Sequence, residues 1–231
     1  MSQFGLGALV LVLGAALAVF TQASYRAAGR RATLRAGYLD ACQSLFRGGL
    51  KAVAPTGFPR LSGQVQGLTF DLQVVPDTLT FRKLPALWLL VTLPEKLPLR
   101  ATFDLMIRPT GVEPFSHFQT LPDQISAPQG FPEDCVIRTD DPAALPPEAL
   151  LRRHLGLFAD LRVKELVISP KGLRLVWLAQ EADRTRYLIF RDAEMGQVPL
   201  TPETLRPLMS ALRDLQADIL RDHAYKESWI A

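Results

Sequence analysis

Residues 84–94 read LPALWLLVTLP, and the reading of this run decides the fold. At eleven residues it is about half the roughly 20 that a helix needs to cross a bilayer, and it carries prolines near both ends. The run is therefore expected to be a central strand, in which Leu87, Leu89, Val91 and Leu93 repeat the alternation of its neighbours. Working outward, Leu68, Phe70, Leu72 and Val74 alternate with Thr69, Asp71 and Gln73, and Leu79 and Phe81 follow a turn at Pro76-Asp77. Phe103, Leu105 and Ile107 alternate in the same way with Thr102, Asp104 and Arg108. This period of two predicts an antiparallel meander over 65–108 with one apolar and one polar face.

After the meander, residues 109–132 are loop-like, with prolines at 109, 114, 122, 128 and 132. Phe115, Phe118 and Phe131 imply that this loop packs down on the domain. A short strand over Cys135–Thr139 then leads through Asp140-Asp141-Pro142 to a helix starting near Pro147, with Leu151, Leu155, Phe158 and Leu161 as its buried stripe. Glu165–Ser169 and Gly172–Leu178, joined by Pro170-Lys171, read as a hairpin, and Arg186–Arg191 as a further strand. Thr201-Pro202-Glu203 opens a closing helix with Leu205, Leu208, Leu212, Leu215 and Ile219 on one face, expected to pack on the sheet.

Toward the N-terminus, Phe4–Phe20 reads FGLGALVLVLGAALAVF, and no charged side chain appears before Arg26. That length matches a transmembrane helix. Thr21-Gln22-Ala23 resembles a signal-peptidase site, but no base precedes the run, which favours a retained anchor. Arg26, Arg30, Arg31 and Arg35 follow it closely, and this positive flank predicts an outside N-terminus and a cytoplasmic domain in the inner (cell) membrane. These arginines could also hold anionic head groups, with Tyr25 at the interface. Gly14 and Ala18 form a small-xxx-small pair that would let another helix approach. Residues 26–54 extend the helical pattern through Leu39, Cys42, Leu45, Phe46 and Leu50, either as an arm on the membrane or docked on the domain. Gly48-Gly49 and the Pro55–Pro59 cluster end it.

Charge follows the same division. The net charge of +3 is the sum of +6 over residues 1–60, where seven bases meet Asp40 alone, and −3 over the remainder. The acidic, charge-interleaved domain gives no reason to expect nucleic acid. Cys42 and Cys135, far apart, are expected as two reduced thiols. There is no glycine-rich phosphate loop, HExxH, CxxC pair or nucleophile elbow, and hence no catalytic, cofactor or metal site to name. Ser116-His117, His154, His223 and Asp140-Asp141 carry the residue types of catalysis or metal binding, but with no companion ligands or base at suitable spacing.

The segment Val136–Leu178, in which a strand ends in an Asp-Pro turn and is followed by a Leu-rich helix and a hairpin, resembles uncharacterised bacterial membrane-anchored proteins. The resemblance implies this architecture and no activity. The expectation is an α+β protein with an anchor (1–25), a basic juxtamembrane helix and linker (26–60), a β subdomain (61–132) and an α+β subdomain (133–231). Its expected role is a non-enzymatic accessory, scaffold or assembly protein, with membrane lipid and an integral membrane protein as partners and no cofactor. Alternatives are a tethered module binding lipid or another apolar ligand near Phe115, Phe118 and Phe131, and a hydrolase using His117. Intact-mass measurement of the membrane-extracted protein checks the anchor: residues 1–23 should be retained, and an N-terminus at Ser24 would mean a cleaved signal peptide.

Overall fold

An apolar residue at every second position buries one strand face, whereas one at every third or fourth buries a helix stripe, and both periods organise this chain. The structure, a computed structural model, describes residues 3–78, 84–190 and 193–227. In chain order its elements are α1 (Gln3–Ala36), β1 (Arg47–Val53), β2 (Pro59–Val65), β3 (Leu68–Asp77), β4 (Ala86–Leu93), β5 (Phe103–Ile107), β6 (Asp123–Ile125), β7 (Cys135–Thr139), α2 (Glu148–His154), β8 (Val163–Ser169), β9 (Gly172–Glu181), α3 (Arg184–Phe190) and α4 (Pro202–Glu227). The protein is α+β. One long apolar helix precedes an antiparallel sheet of nine strands, ordered β1-β2-β3-β4-β9-β8-β5-β7-β6.

β4 lies between β3 and β9, as its apolar sequence requires, and all but one of its residues are buried. Leu87, Leu89, Val91 and Leu93 face the main core, where Phe70, Leu72, Leu105, Ile168 and Leu175 join them. α4 covers this face with Leu205, Leu208, Leu212, Leu215 and Ile219, all buried. Each such side chain contributes about 1.5–3 kcal/mol on burial, which is ample reason for α4 to pack on its own sheet. On the opposite face Trp88 and Leu90, with Met106 and Val176, lie beneath Phe115 and Phe118. The Trp88 and Phe115 ring centroids are 4.7 Å apart.

Strands from 61–132 and 133–231 share this one sheet: β5 lies between β7 and β8, and the β8–β9 hairpin fills the place beside β4. Several local expectations are corrected. The helix expected to continue to residue 54 ends at Ala36, followed by a 3-10 turn over Asp40–Leu45 and then β1. Leu39, Cys42 and Phe46 are buried, but Leu50 stands on an edge strand at 75% exposure. Gly48-Gly49 is a bulge in that strand, with Gly48 at φ +65°. Pro76-Asp77 is the end of β3, pairing with Leu87 and Ala86, and not a turn. Proline is tolerated there because β2 pairs with β3 only as far as Gln73, leaving that side open. Leu79 and Phe81 lie outside the described residues.

Arg186–Arg191, expected as a strand, falls mostly within α3. Asp183 caps that helix by accepting a 2.7 Å bond from the Arg186 amide, and both neighbours of β9 are already taken. Leu161 is 84% exposed, because the helix from Pro147 gives way to a 3-10 turn at Leu155 before the stripe reaches it. His154 is half-buried, its Nε2 3.1 Å from Asp218 on α4. Asp140 accepts bonds from the Thr102 amide and hydroxyl, and Asp141 caps the 3-10 turn at Ala143.

The hairpin between β8 and β9 depends on Gly172. Its φ is +134°, and a Cβ there would overlap the Leu93 carbonyl oxygen at the end of β4. Gly172→Ala should cost about 3 kcal/mol or more through strain and displaced backbone, whereas Leu50→Ala on the edge should cost less than about 0.5 kcal/mol. Thermal unfolding of the detergent-solubilised protein compares the two.

Candidate functional site

Among the described residues one helix is long and apolar enough to cross a membrane, and its apolar window is not buried by the rest of the protein. α1 has 34 residues, about 50 Å at 1.5 Å per residue, against a hydrocarbon thickness of about 30 Å. Side chains from Leu11 to Tyr25 are exposed all round, and the helix runs unbroken through Thr21-Gln22-Ala23. Gly14 and Ala18 lie along one shallow groove with Leu17, Thr21 and Tyr25.

Its C-terminal end is built into the domain. The Arg35 guanidinium sits 5.7 Å above the Phe58 ring, which meets Tyr38 edge-on at 6.2 Å. Arg31 Nη1 is 3.4 Å from Glu194 Oε1. Just beyond, the Leu200 amide donates to the Tyr38 carbonyl, and the Cys42 thiol donates to the Leu200 carbonyl at 3.3 Å. Burial pushes that thiol up to about 11, with Glu203 adding to the shift. The four expected basic residues therefore divide: Arg26 and Arg30 are exposed, while Arg31 and Arg35 also tie the helix to residues 58 and 194. Sequence spacing could not separate them, because the Arg31 partner lies 163 residues away.

A second constellation, not anticipated from the sequence, lies under the loop on the other sheet face. Asp104 on β5 and Glu165 on β8 are 3% and 0% exposed. A bulge in the β8–β9 ladder between Val163 and Glu165 puts these two residues on opposite faces although they are two apart. The Ser116 hydroxyl donates to Glu165 Oε1, and the Phe118 amide donates to Ser116 Oγ at 2.9 Å. Glu113 accepts from the Thr110 amide and hydroxyl at 3.0 and 2.8 Å, and Lys164 Nζ lies 3.5 Å from it. Lys164 also donates to the Ile107 and Arg108 carbonyls. Burial is the main reason that both Asp104 and Glu165 are pushed up from the ordinary carboxylate range. Their mutual interaction raises Asp104 further, whereas Arg174 acts against the shift at both. Two carboxyls that interact in this way titrate as a unit.

Ser116 thus turns inward while His117 is exposed, so the two do not form a nucleophile–base pair. The three phenylalanines do not line one pocket. Phe115 and Phe118 belong to the core on the loop side, and Phe131 to the main core, where the Arg152 guanidinium lies 5.9 Å from its ring. Cys42 and Cys135 are free thiols. No group of three or more His, Cys, Asp or Glu side chains suited to a metal ion occurs among the described residues. Comparison with family models, curated proteins and solved structures finds no match.

The carboxyl pair predicts a pH dependence. Its folded-state affinity for protons exceeds that of the unfolded chain, so its contribution is fully present below the unfolded carboxylate range and is lost as pH rises through the raised folded values. Stability should fall between roughly pH 5 and pH 9 from this source. Asp104→Asn, which keeps the shape and removes one of the two titrating carboxyls, should reduce that slope in thermal melts. An unchanged slope would show that the pair does not govern it.

Proposed function

We propose that this chain is a single-span protein of the inner (cell) membrane, with its N-terminus outside and its domain in the cytoplasm. It serves as a non-enzymatic accessory, scaffold or assembly subunit beside an integral membrane complex. One observation carries the reading: α1 is bare from Leu11 to Tyr25, yet the chain just beyond its far end is buried in the domain core at Tyr38, Leu39 and Cys42. Each Leu, Val or Phe in that bare stretch gains about 1.5–3 kcal/mol on leaving water, and lipid is the medium that supplies this gain without a groove on the domain.

Orientation rests on the charge excess of residues 26–60, which favours the cytoplasmic side. The likeness of Val136–Leu178 to other membrane-anchored proteins is part of the same proposal. The Gly14–Ala18 face is the surface offered to a partner helix, since small residues allow backbones to approach closely where lipid gives no hydrophobic drive for association.

Purification in mild detergent followed by native mass spectrometry tests the role. The expected result is co-isolation of a distinct integral membrane protein, lost or weakened by Gly14→Leu with Ala18→Leu; recovery of the monomer alone speaks against a partner-bound role. A periplasmic reporter fused to the C-terminus should be inactive, and activity would reverse the proposed orientation.

A further inference from the structure

Helix α3 combines two features that the anchor reading does not use. Leu188 and Ile189 are 57% and 66% exposed, whereas Tyr187 between Arg186 and Leu188 is half-buried. At 100° per residue, Leu188 and Ile189 flank Thr185 on the outer side of the helix, while Tyr187 faces the protein. Two large aliphatic side chains are thus held outward on a capped helix.

The second feature is its position. Glu194 Oε1 accepts from Arg186 Nη2 at 2.7 Å and lies 3.4 Å from Arg31 Nη1, so one carboxylate joins α3 to α1. Glu194 also lies beside Ala23, Arg26, Ala27, Arg30 and Arg31, and these six residues line a groove of about 390 Å³ along α1. Arg26 is the first charged residue after the apolar run, and Arg31 is five residues further, about 7.5 Å along the axis. That distance is comparable to the head-group layer, about 5–8 Å deep on each side of the hydrocarbon. If α1 spans the bilayer, α3 is therefore tethered at head-group level.

We propose that α3 is a second membrane contact: Leu188 and Ile189 enter the edge of the acyl region, and Arg26, Arg30 and Arg184 engage anionic phospholipid head groups. The occupant is a lipid surface because α3 is joined to the spanning helix through Glu194 and carries exposed Arg184 beside its apolar pair, the combination of apolar and basic residues that interfacial helices use. Two contacts, one spanning and one interfacial, hold the domain in a set orientation on the membrane. The inference rests on reading α1 as a span, and the experiment separates the two.

The full chain carrying Cys135→Ser is given a single reactive cysteine by Leu188→Cys, or by Ile189→Cys as an independent second variant. Cys42 is buried and its thiol is raised to about 11, so it remains unlabelled under native conditions. After labelling with nitrobenzoxadiazole, the protein is reconstituted into phosphatidylcholine–phosphatidylglycerol vesicles containing lipids brominated high on the acyl chain. The expected result is a blue-shifted emission that loses most of its intensity to the brominated lipid, weaker in vesicles of phosphatidylcholine alone. A label at Leu17→Cys should be quenched in both. A label at Val112→Cys, exposed on the loop over the other sheet face, should not be. Quenching at 17 without quenching at 188 and 189 overturns the α3 contact and leaves the span standing, as does equal quenching at 112. No quenching at 17 removes the span and the α3 proposal together, and equal quenching at 188 in neutral vesicles overturns the head-group part.

Discussion

A strand with apolar side chains on both faces has to be covered twice, and β4 imposes that condition on the whole domain. Leu87, Leu89, Val91 and Leu93 need one layer, while Trp88 and Leu90 need another. α4 answers the first requirement with a stripe of leucines, and the 109–121 loop answers the second with Phe115 and Phe118. The same condition explains the topology, because a strand buried on both faces is also best paired on both edges, and the β8–β9 hairpin supplies the edge that the meander leaves open.

The second cover has an electrostatic consequence. A loop that seals apolar Trp88 and Met106 also seals whatever polar side chains share their face, and Asp104 and Glu165 are among them. Removal from water favours the neutral acid, so these two carboxyls hold a proton in the fold that they would release in the unfolded chain. Ser116 and Phe118 come from the same loop: one bonds to Glu165 and the other fills the apolar layer, so cover and carboxyl pair form as a single unit. Burying ionisable groups costs stability, and here that cost accompanies the completion of the core.

Much of the fold was legible in local pattern: the nature of β4, the β8–β9 hairpin, the leucine stripe of α4 and the length of α1 all follow from spacing alone. What misled was local ambiguity. The run from Arg186 to Arg191 suits a strand or a helix equally well, and the Asp183 cap together with the lack of a free sheet edge made it a helix. Leu50 continued a helical pattern because Gly48-Gly49 and the Pro55–Pro59 cluster were the stop signals read from the sequence, whereas α1 already ends at Ala36. Asp104 looked solvent-facing because alternation reveals which residues share a face, and says nothing of what lies over that face.

The amino-acid order by itself determined the α+β class, the single apolar helix of spanning length and the concentration of positive charge just after it, since each depends on composition or periodicity over neighbouring residues. Only the tertiary structure decided that the strands join in one sheet, that Arg31 and Arg35 bind the domain while Arg26 and Arg30 remain exposed, and that Asp104 meets Glu165. These outcomes depend on contacts between residues tens to more than a hundred positions apart, formed when sheet, loop and helix close over β4, and no local period encodes them.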